Sequence, residues 1–171
     1  LANDLTDGLF TSKKGIYLDN YIWLKRTILE ASRNKNINWL VRSHPNEIKN
    51  KVILTTKNLF KKLNLENNIQ LMPEYFSQNS LPKVVDIVFT NFGSAGYEYP
   101  AIGIPVITAS EAIYSYLDIS IEAQTEEQYI ELIKNCHKIR GVSMRSQENA
   151  LLFSYLFSTL VKIPFPVPEM N

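Results

Sequence analysis

Cysteine and histidine are scarce in this sequence, which has one cysteine and two histidines among its 171 residues. The single thiol, Cys136, excludes an intrachain disulfide framework and a cysteine-based zinc site. Two histidines and scattered carboxylates show no spacing typical of metal ligands, so we expect no metal ion and no cofactor. Cys136 lies in a helical pattern beside His137, and we expect a reduced structural thiol in a cytoplasmic protein.

Long apolar runs and an excess of one charge are also missing. No stretch reaches the ~18 apolar residues that span a membrane, and the amino end lacks the basic-then-apolar pattern of a signal peptide. Lys and Arg number 18 against 17 Asp and Glu, for a net charge of +1. This balance argues against a protein that binds nucleic acid through a basic surface. Because the chain starts at Leu1, we expect a processed protein or a piece of a longer one.

Several well-known catalytic and nucleotide-binding motifs are absent. The sequence has no Walker-type loop, and no Gly-x-Gly-x-x-Gly follows a strand pattern, which argues against an ordinary dinucleotide dehydrogenase. It also lacks a nucleophile elbow or a plausible Ser/His/Asp order, so a hydrolase of that type is not indicated.

The residues that are present alternate between helical and strand patterns. Apolar spacing predicts helices at 21–34, 51–63, 94–102, 126–138 and 144–161, and a helical turn at 77–83. Asp19 or Asn20 caps the first helix, Thr125 the fourth, and Ser80 the turn. Strands are predicted at 37–41, 69–72, 84–89 and 105–108. This order predicts an α/β fold, a Rossmann-like three-layer α/β/α domain with a mostly parallel sheet, spanning 1–171 as a single domain. The apolar last helix predicts burial against the sheet or a partner domain.

Two polar elements follow predicted strands. His44 comes after the strand at 37–41, and Gly93 and Ser94 come after the strand at 84–89. Because ligands of open α/β sheets bind at the carboxyl ends of the strands, the imidazole and the Gly-Ser turn are expected to hold one anion, such as a phosphate. Glu98 is placed to accept hydrogen bonds from a sugar hydroxyl, and Arg42 to add positive charge.

Each of these residues also has a purely structural interpretation. Ser94 could cap the helix that follows it, with Glu98 as a first-turn acid, and His44 could cap the helix after its strand. Arg42 could be an ordinary surface residue. The functional interpretation predicts instead that the donors stabilise a departing nucleotide phosphate, and that His44 delivers a proton to the leaving oxygen.

Taken in order, these motifs resemble those of capsule polysaccharide biosynthesis glycosyltransferases, bacterial surface-glycan enzymes of the two-domain GT-B architecture that are related to Kdo transferases and, more distantly, to bacterial sialyltransferases. The resemblance covers most of residues 1–135. It is carried by Asn3-Asp4-Leu5-Thr6-Asp7, Arg42-Ser43-His44-Pro45-Asn46-Glu47, Asp86-Ile87-Val88-Phe89-Thr90, Gly93-Ser94-Ala95-Gly96-Tyr97-Glu98, Gly103-Ile104-Pro105-Val106-Ile107, Tyr114 and Tyr116, and Thr125-Glu126-Glu127-Gln128-Tyr129.

The resemblance implies the donor-binding half of an inverting, metal-independent transferase. His44, Pro45, Gly93 and Ser94 would hold the phosphate of a CMP- or UDP-linked sugar, with His44 catalytic, and Glu98 would contact ribose or sugar. The general base and the site for a glycan or glycolipid acceptor would lie in an amino-terminal domain that this chain lacks. Such a fragment would be inactive alone. The resemblance places the enzyme in the cytoplasm at the inner membrane face, with peripheral membrane contact at most.

Three other interpretations remain open at this point. A polyol-phosphate transferase of the CDP-glycerol type uses a similar histidine and phosphate clamp. A UDP-sugar 2-epimerase would need further acids and a histidine from another domain. A non-catalytic α/β interaction module would use the apolar last helix to dock onto a partner, and its cleft would bind no nucleotide.

Overall fold

The computed structural model describes residues 15–44, 47, 54–73 and 76–159. Within these ranges helices and strands are interspersed along the chain. In order they are α1 (Asn20–Arg33), β1 (Trp39–Val41), α2 (Thr56–Lys62), β2 (Ile69–Leu71), β3 (Val88–Thr90), α3 (Ala95–Ala101), β4 (Val106–Thr108), β5 (Ile121–Glu122), α4 (Glu126–Asn135) and α5 (Met144–Thr159). Short 3₁₀ turns occupy Gln78–Lys83, Ser115–Leu117 and Cys136–Lys138.

The strands form two hydrogen-bonded groups in the described part of the chain, and every strand pair is parallel. β1 pairs with β2, with Trp39 opposite Ile69. The second group has the order β3-β4-β5, with Val88 opposite Val106 and Ile107 opposite Ile121. The predicted α/β class with parallel strands is therefore confirmed. In the described ranges the strands form two short sheets, and not the single sheet that was expected.

Helices pack against both faces of these strands because apolar side chains alternate along β3 and β4. Phe89 and Ile107 face a core that contains side chains of α1, α2 and α4, together with Trp39 and Val41 of β1. Val88 and Val106 face the other side, where Tyr99 of α3 packs. Both strand groups therefore share the first core, although no ladder joins them in the described ranges.

The predicted helix starts are confirmed where side-chain capping decides them. Asp19 accepts a hydrogen bond from the backbone N–H of Ile22 at 2.7 Å and caps α1. Thr125 accepts from the N–H of Gln128 at 3.2 Å and caps α4. Both interactions satisfy backbone donors that the first helical turn leaves without a partner. Because the cap and its donor are three residues apart, such helix starts can be predicted from the sequence.

Two sequence predictions about strands are corrected. The strand expected at 84–89 begins only at Val88, because Val84 lies at the end of the preceding 3₁₀ turn and is 53% exposed. β5 was not predicted, since its two residues, Ile121 and Glu122, carry no alternation that a sequence pattern can register. Ser80 lies inside the 3₁₀ turn and not at its start, which follows Ser77.

For the last helix, burial against the sheet is corrected as well, while burial against a partner domain stays a prediction. α5 packs against α3 through Ala150 and Phe153, which lie in a cluster with Ala101 and Tyr114. It does not cover the sheet directly. Its opposite side leaves Leu152 and Tyr155 about half exposed or more, at 58% and 63%.

Some predictions fall outside the described residues. These are the stretch Asn3-Asp4-Leu5-Thr6-Asp7, Pro45, residues 51–53 of the helix expected at 51–63, and the last two residues of the helix expected at 144–161. Leu54 and Thr55 are described and are not helical, because Thr55 caps α2, which begins at Thr56. Among the described helices, none has the length and apolar content needed to cross a membrane.

Candidate functional site

Arg42 and His44 lie in the loop that directly follows β1, and both are partly exposed. The backbone N–H of Glu47 donates to the carbonyl of His44 at 3.0 Å, which closes a turn after the histidine. Glu47 is 4% exposed, and its carboxylate accepts from the N–H and the hydroxyl of Thr56 at 2.8 and 2.5 Å. Since Thr56 begins α2, the His44 loop is anchored to that helix. Pro45 lies outside the described residues.

The imidazole of His44 sits where its neutral form is favoured. Burial lowers its pKa below the ordinary value of 6.5, and the positive charge of Arg42 acts in the same direction, while the carboxylate of Glu47 opposes both. In the ligand-free protein His44 is therefore mainly an N–H donor near neutral pH. An anion beside it would raise its pKa and favour the charged, doubly donating form.

Charge also connects the β1 loop to the helix after β3. Burial raises the pKa of Tyr99, and the Arg42 guanidinium opposes this rise. Tyr99 is 8% exposed and lies on α3, next to Glu98. The charge of Arg42 therefore acts on the Tyr99 side chain of α3.

Gly93 and Ser94 form the turn between β3 and α3. Ser94 has helical backbone angles, its side chain is exposed, and its hydroxyl makes no capping hydrogen bond. The N–H of Gly96 donates to the carbonyl of Gly93 at 2.9 Å. Within the described ranges the N–H groups of Ser94 and Ala95 donate to no acceptor. The structural interpretation of Ser94 as a side-chain helix cap is therefore wrong, and the exposed Ser94 offers its hydroxyl and its backbone N–H.

Glu98 lies one turn into α3 and is exposed. Glu98 therefore lies on the short helix that follows the Gly93-Ser94 turn, as predicted. α3 is shorter than the helix expected at 94–102. It contains Pro100 and ends before Gly103, whose φ of 86° is in the left-handed region that favours glycine.

Asn91 is a structural residue of this site that sequence analysis missed. Its side chain donates to Asn20 Oδ1 at 2.7 Å and accepts from the Ser110 hydroxyl at 2.5 Å, and its carbonyl accepts from the N–H groups of Ala109 and Ser110 at 3.2 Å. Asn91 and its two side-chain partners are all at most 3% exposed. The carboxyl ends of β3 and β4 and the start of α1 are thus tied together beneath the turn. The available signal was a polar residue placed directly after a buried strand.

Neither of two surface hollows in the described structure contains a predicted site residue. One of about 110 Å³ lies at the amino ends of β4 and β5, beside Ser120 and Ser146. The other lies between the end of α2 and β2, beside Phe60 and Gln70. No group of three metal-ligating side chains occurs within the ranges described.

Comparison with protein-family models, with curated proteins and with solved structures found no match for this chain. The family resemblance of the motifs therefore stays a hypothesis.

Proposed function

We propose that this chain is the nucleotide-sugar-binding part of a bacterial surface-polysaccharide glycosyltransferase, inverting and metal-independent, with a Rossmann-like, GT-B-type donor domain. The observation that carries the proposal is that the His44 loop and the Gly93-Ser94 turn directly follow β1 and β3, two strands whose Trp39 and Phe89 rings are in contact with a centroid distance of 5.4 Å. On this basis we assign the loop with Arg42 and His44 and the turn at Gly93 and Ser94 to one anion site at the strand ends. A phosphate needs that combination of charge and directed N–H groups.

The roles follow from the chemistry of each group. Arg42 and the turn at Gly93 and Ser94 hold the phosphate of the donor, and Glu98 accepts hydrogen bonds from ribose or sugar hydroxyls. His44 donates to the leaving phosphate oxygen as the glycosidic bond breaks and negative charge develops there. The acceptor, a glycan or glycolipid, and the general base that activates it belong to another domain, at the cytoplasmic face of the inner membrane.

Nucleotide-dependent thermal stability tests this proposal. We expect one pyrimidine nucleotide among CMP, CDP, UDP and GDP to raise the melting temperature of the protein, because a ligand bound only to the native state at ~100 times its Kd adds about 2.7 kcal/mol to the free energy of unfolding. His44→Ala should abolish the shift. His137→Ala, which removes an exposed histidine of the 3₁₀ turn Cys136–Lys138, is the matched control and should leave it intact.

The outcomes separate the alternatives. An unchanged melting temperature with all four nucleotides would refute the proposed site and favour an interaction module. A larger shift with CDP-glycerol than with a CMP-sugar or a UDP-sugar would favour the polyol-phosphate transferase.

A further inference from the structure

The carbonyl of Gly93 accepts two hydrogen bonds. One comes from the N–H of Gly96 at 2.9 Å and belongs to the first turn of α3. The other comes from the hydroxyl of Tyr114 at 2.8 Å, and Tyr114 lies 21 residues further along the chain, after β4. Tyr114 is 1% exposed. A buried side chain from a separate loop therefore contacts the backbone of the turn proposed to bind phosphate.

Neighbouring residues pack closely around this hydrogen bond. A Cβ atom at Gly96 would lie 1.9 Å from the Tyr114 hydroxyl oxygen, so only glycine permits the tyrosine to reach the turn. The ring of Tyr114 meets Tyr97 and Phe153 edge-on, at centroid distances of 5.6 and 6.0 Å. These contacts hold the ring in place and direct its hydroxyl to Gly93.

Peptide geometry extends the effect of this hydrogen bond to Ser94. The carbonyl of Gly93 and the N–H of Ser94 belong to one planar trans peptide, in which the C=O and N–H bonds point in opposite directions. Fixing the carbonyl toward the buried Tyr114 hydroxyl therefore fixes the Ser94 N–H in the opposite direction. That N–H donates to no acceptor within the ranges described.

We propose that Tyr114 is a positioning residue, whose hydroxyl orients the Gly93-Ser94 peptide so that the Ser94 N–H is presented to the phosphate of a bound nucleotide. This inference rests on the proposed function. The inference extends the proposed function in two ways. It gives the Gly93-Ser94 turn a support outside its own strand and helix, and it assigns a role to Gly96. A purely structural role for the Tyr114 hydroxyl would affect stability alone, whereas a positioning role also requires that its loss change the Ser94 amide and nucleotide affinity.

The matched variants are Tyr114→Phe and Tyr97→Phe. Each removes one hydroxyl from the same aromatic cluster, but only the Tyr114 hydroxyl contacts the turn. Two measurements apply to both: the amide NMR signals of Ser94 and Ala95 without ligand, and the dissociation constants of CMP, CDP, UDP and GDP by titration calorimetry. We expect Tyr114→Phe to move the Ser94 signal and to weaken the nucleotide bound by the wild type about tenfold, and Tyr97→Phe to do neither.

Each outcome decides one of the two proposals. If the wild type binds a nucleotide and Tyr114→Phe binds it equally well, the positioning role is refuted and the proposed function stands. If the wild type binds none of the four, the proposed function fails and the positioning role fails with it. Should Tyr114→Phe not fold, the wild-type protein still provides a test. The Ser94 amide signal must shift on nucleotide addition, and its failure to do so overturns the inference.

Discussion

At the level of single residues, Ser94 differs from the residues at the starts of the other helices. Thr125 and Asp19 cap their helices through their side chains, whereas Ser94 occupies the corresponding position of α3 without capping it. His44 contributes its backbone carbonyl to the turn with Glu47, while burial keeps its imidazole mainly neutral. A hydroxyl and an imidazole with these surroundings are suited to an external anion.

His44 gives the stability of the protein a defined pH dependence. Its pKa in the folded protein lies below the unfolded value of 6.5, so in the window between the two the unfolded chain binds more protons. The free energy of unfolding therefore rises with pH through this window and falls as the solution is acidified. We expect the variant His44→Gln to lose this part of the slope, as measured by urea unfolding between about pH 5 and about pH 7.5.

The same imidazole predicts the opposite pH trend for ligand binding. A bound phosphate stabilises the charged form, so nucleotide affinity should increase as pH falls from about 7.5 to about 6. His137→Gln is the control for both measurements. Equal slopes for wild type and His44→Gln would show that the imidazole does not titrate in the way its surroundings require.

At the level of elements, the helices differ in how clearly their sequences indicate which side is buried. α1 and α4 have clear apolar stripes, and both pack into the core below the strands. α5 is apolar on more than one side, so its sequence predicts burial without indicating which side is buried. The structure selects the side with Ala150 and Phe153 and places it on α3.

Two substitutions in α5 distinguish its packed side from its exposed side. Phe153 contacts Tyr97 with a centroid distance of 5.0 Å and stacks on Phe157 at 5.6 Å, so Phe153→Ala should lower the free energy of unfolding by about 2 kcal/mol or more. Tyr155 is 63% exposed, and Tyr155→Ala should change it by about 0.5 kcal/mol or less. Both values come from urea unfolding, and similar losses for the two variants would contradict the packing of α5 on α3.

At the level of the whole molecule, the two strand groups are joined by side chains in the described part of the chain. Trp39 of β1 contacts Phe89 of β3 with a centroid distance of 5.4 Å, and Phe89 in turn meets Tyr129 of α4 edge-on at 6.1 Å. The loops that carry His44 and Ser94 follow these two strands. Their relative placement therefore involves side-chain packing in the shared core, which includes this aromatic contact, and no ladder joins β1 to β3 in the described ranges.

A double-mutant cycle measures this connection. Trp39→Leu and Phe89→Leu should each destabilise the protein, and their effects should be non-additive by about 0.5–1.5 kcal/mol, the range for an aromatic pair beyond its buried area. The control cycle pairs Trp39→Leu with Phe153→Leu, which lies in a different apolar cluster, and should be additive. Additivity in both cycles would mean that the two sheets are held together elsewhere.

The sequence alone determined the order of the helices and of the strands other than β5, the start of α4 after Thr125, the start of α1 at Asp19 or Asn20, and the positions of His44 and Gly93-Ser94 after strands. These features depend on side-chain periodicity and capping, which act over a few neighbouring residues. Only the tertiary structure decided the division into two strand groups, the side on which α5 packs, and the supports beneath the turn. Asn91 reaches Asn20 across 71 positions, and Tyr114 reaches Gly93 across 21. Contacts of this kind follow from the path of the chain through the core, where packing of distant apolar side chains sets which polar groups meet.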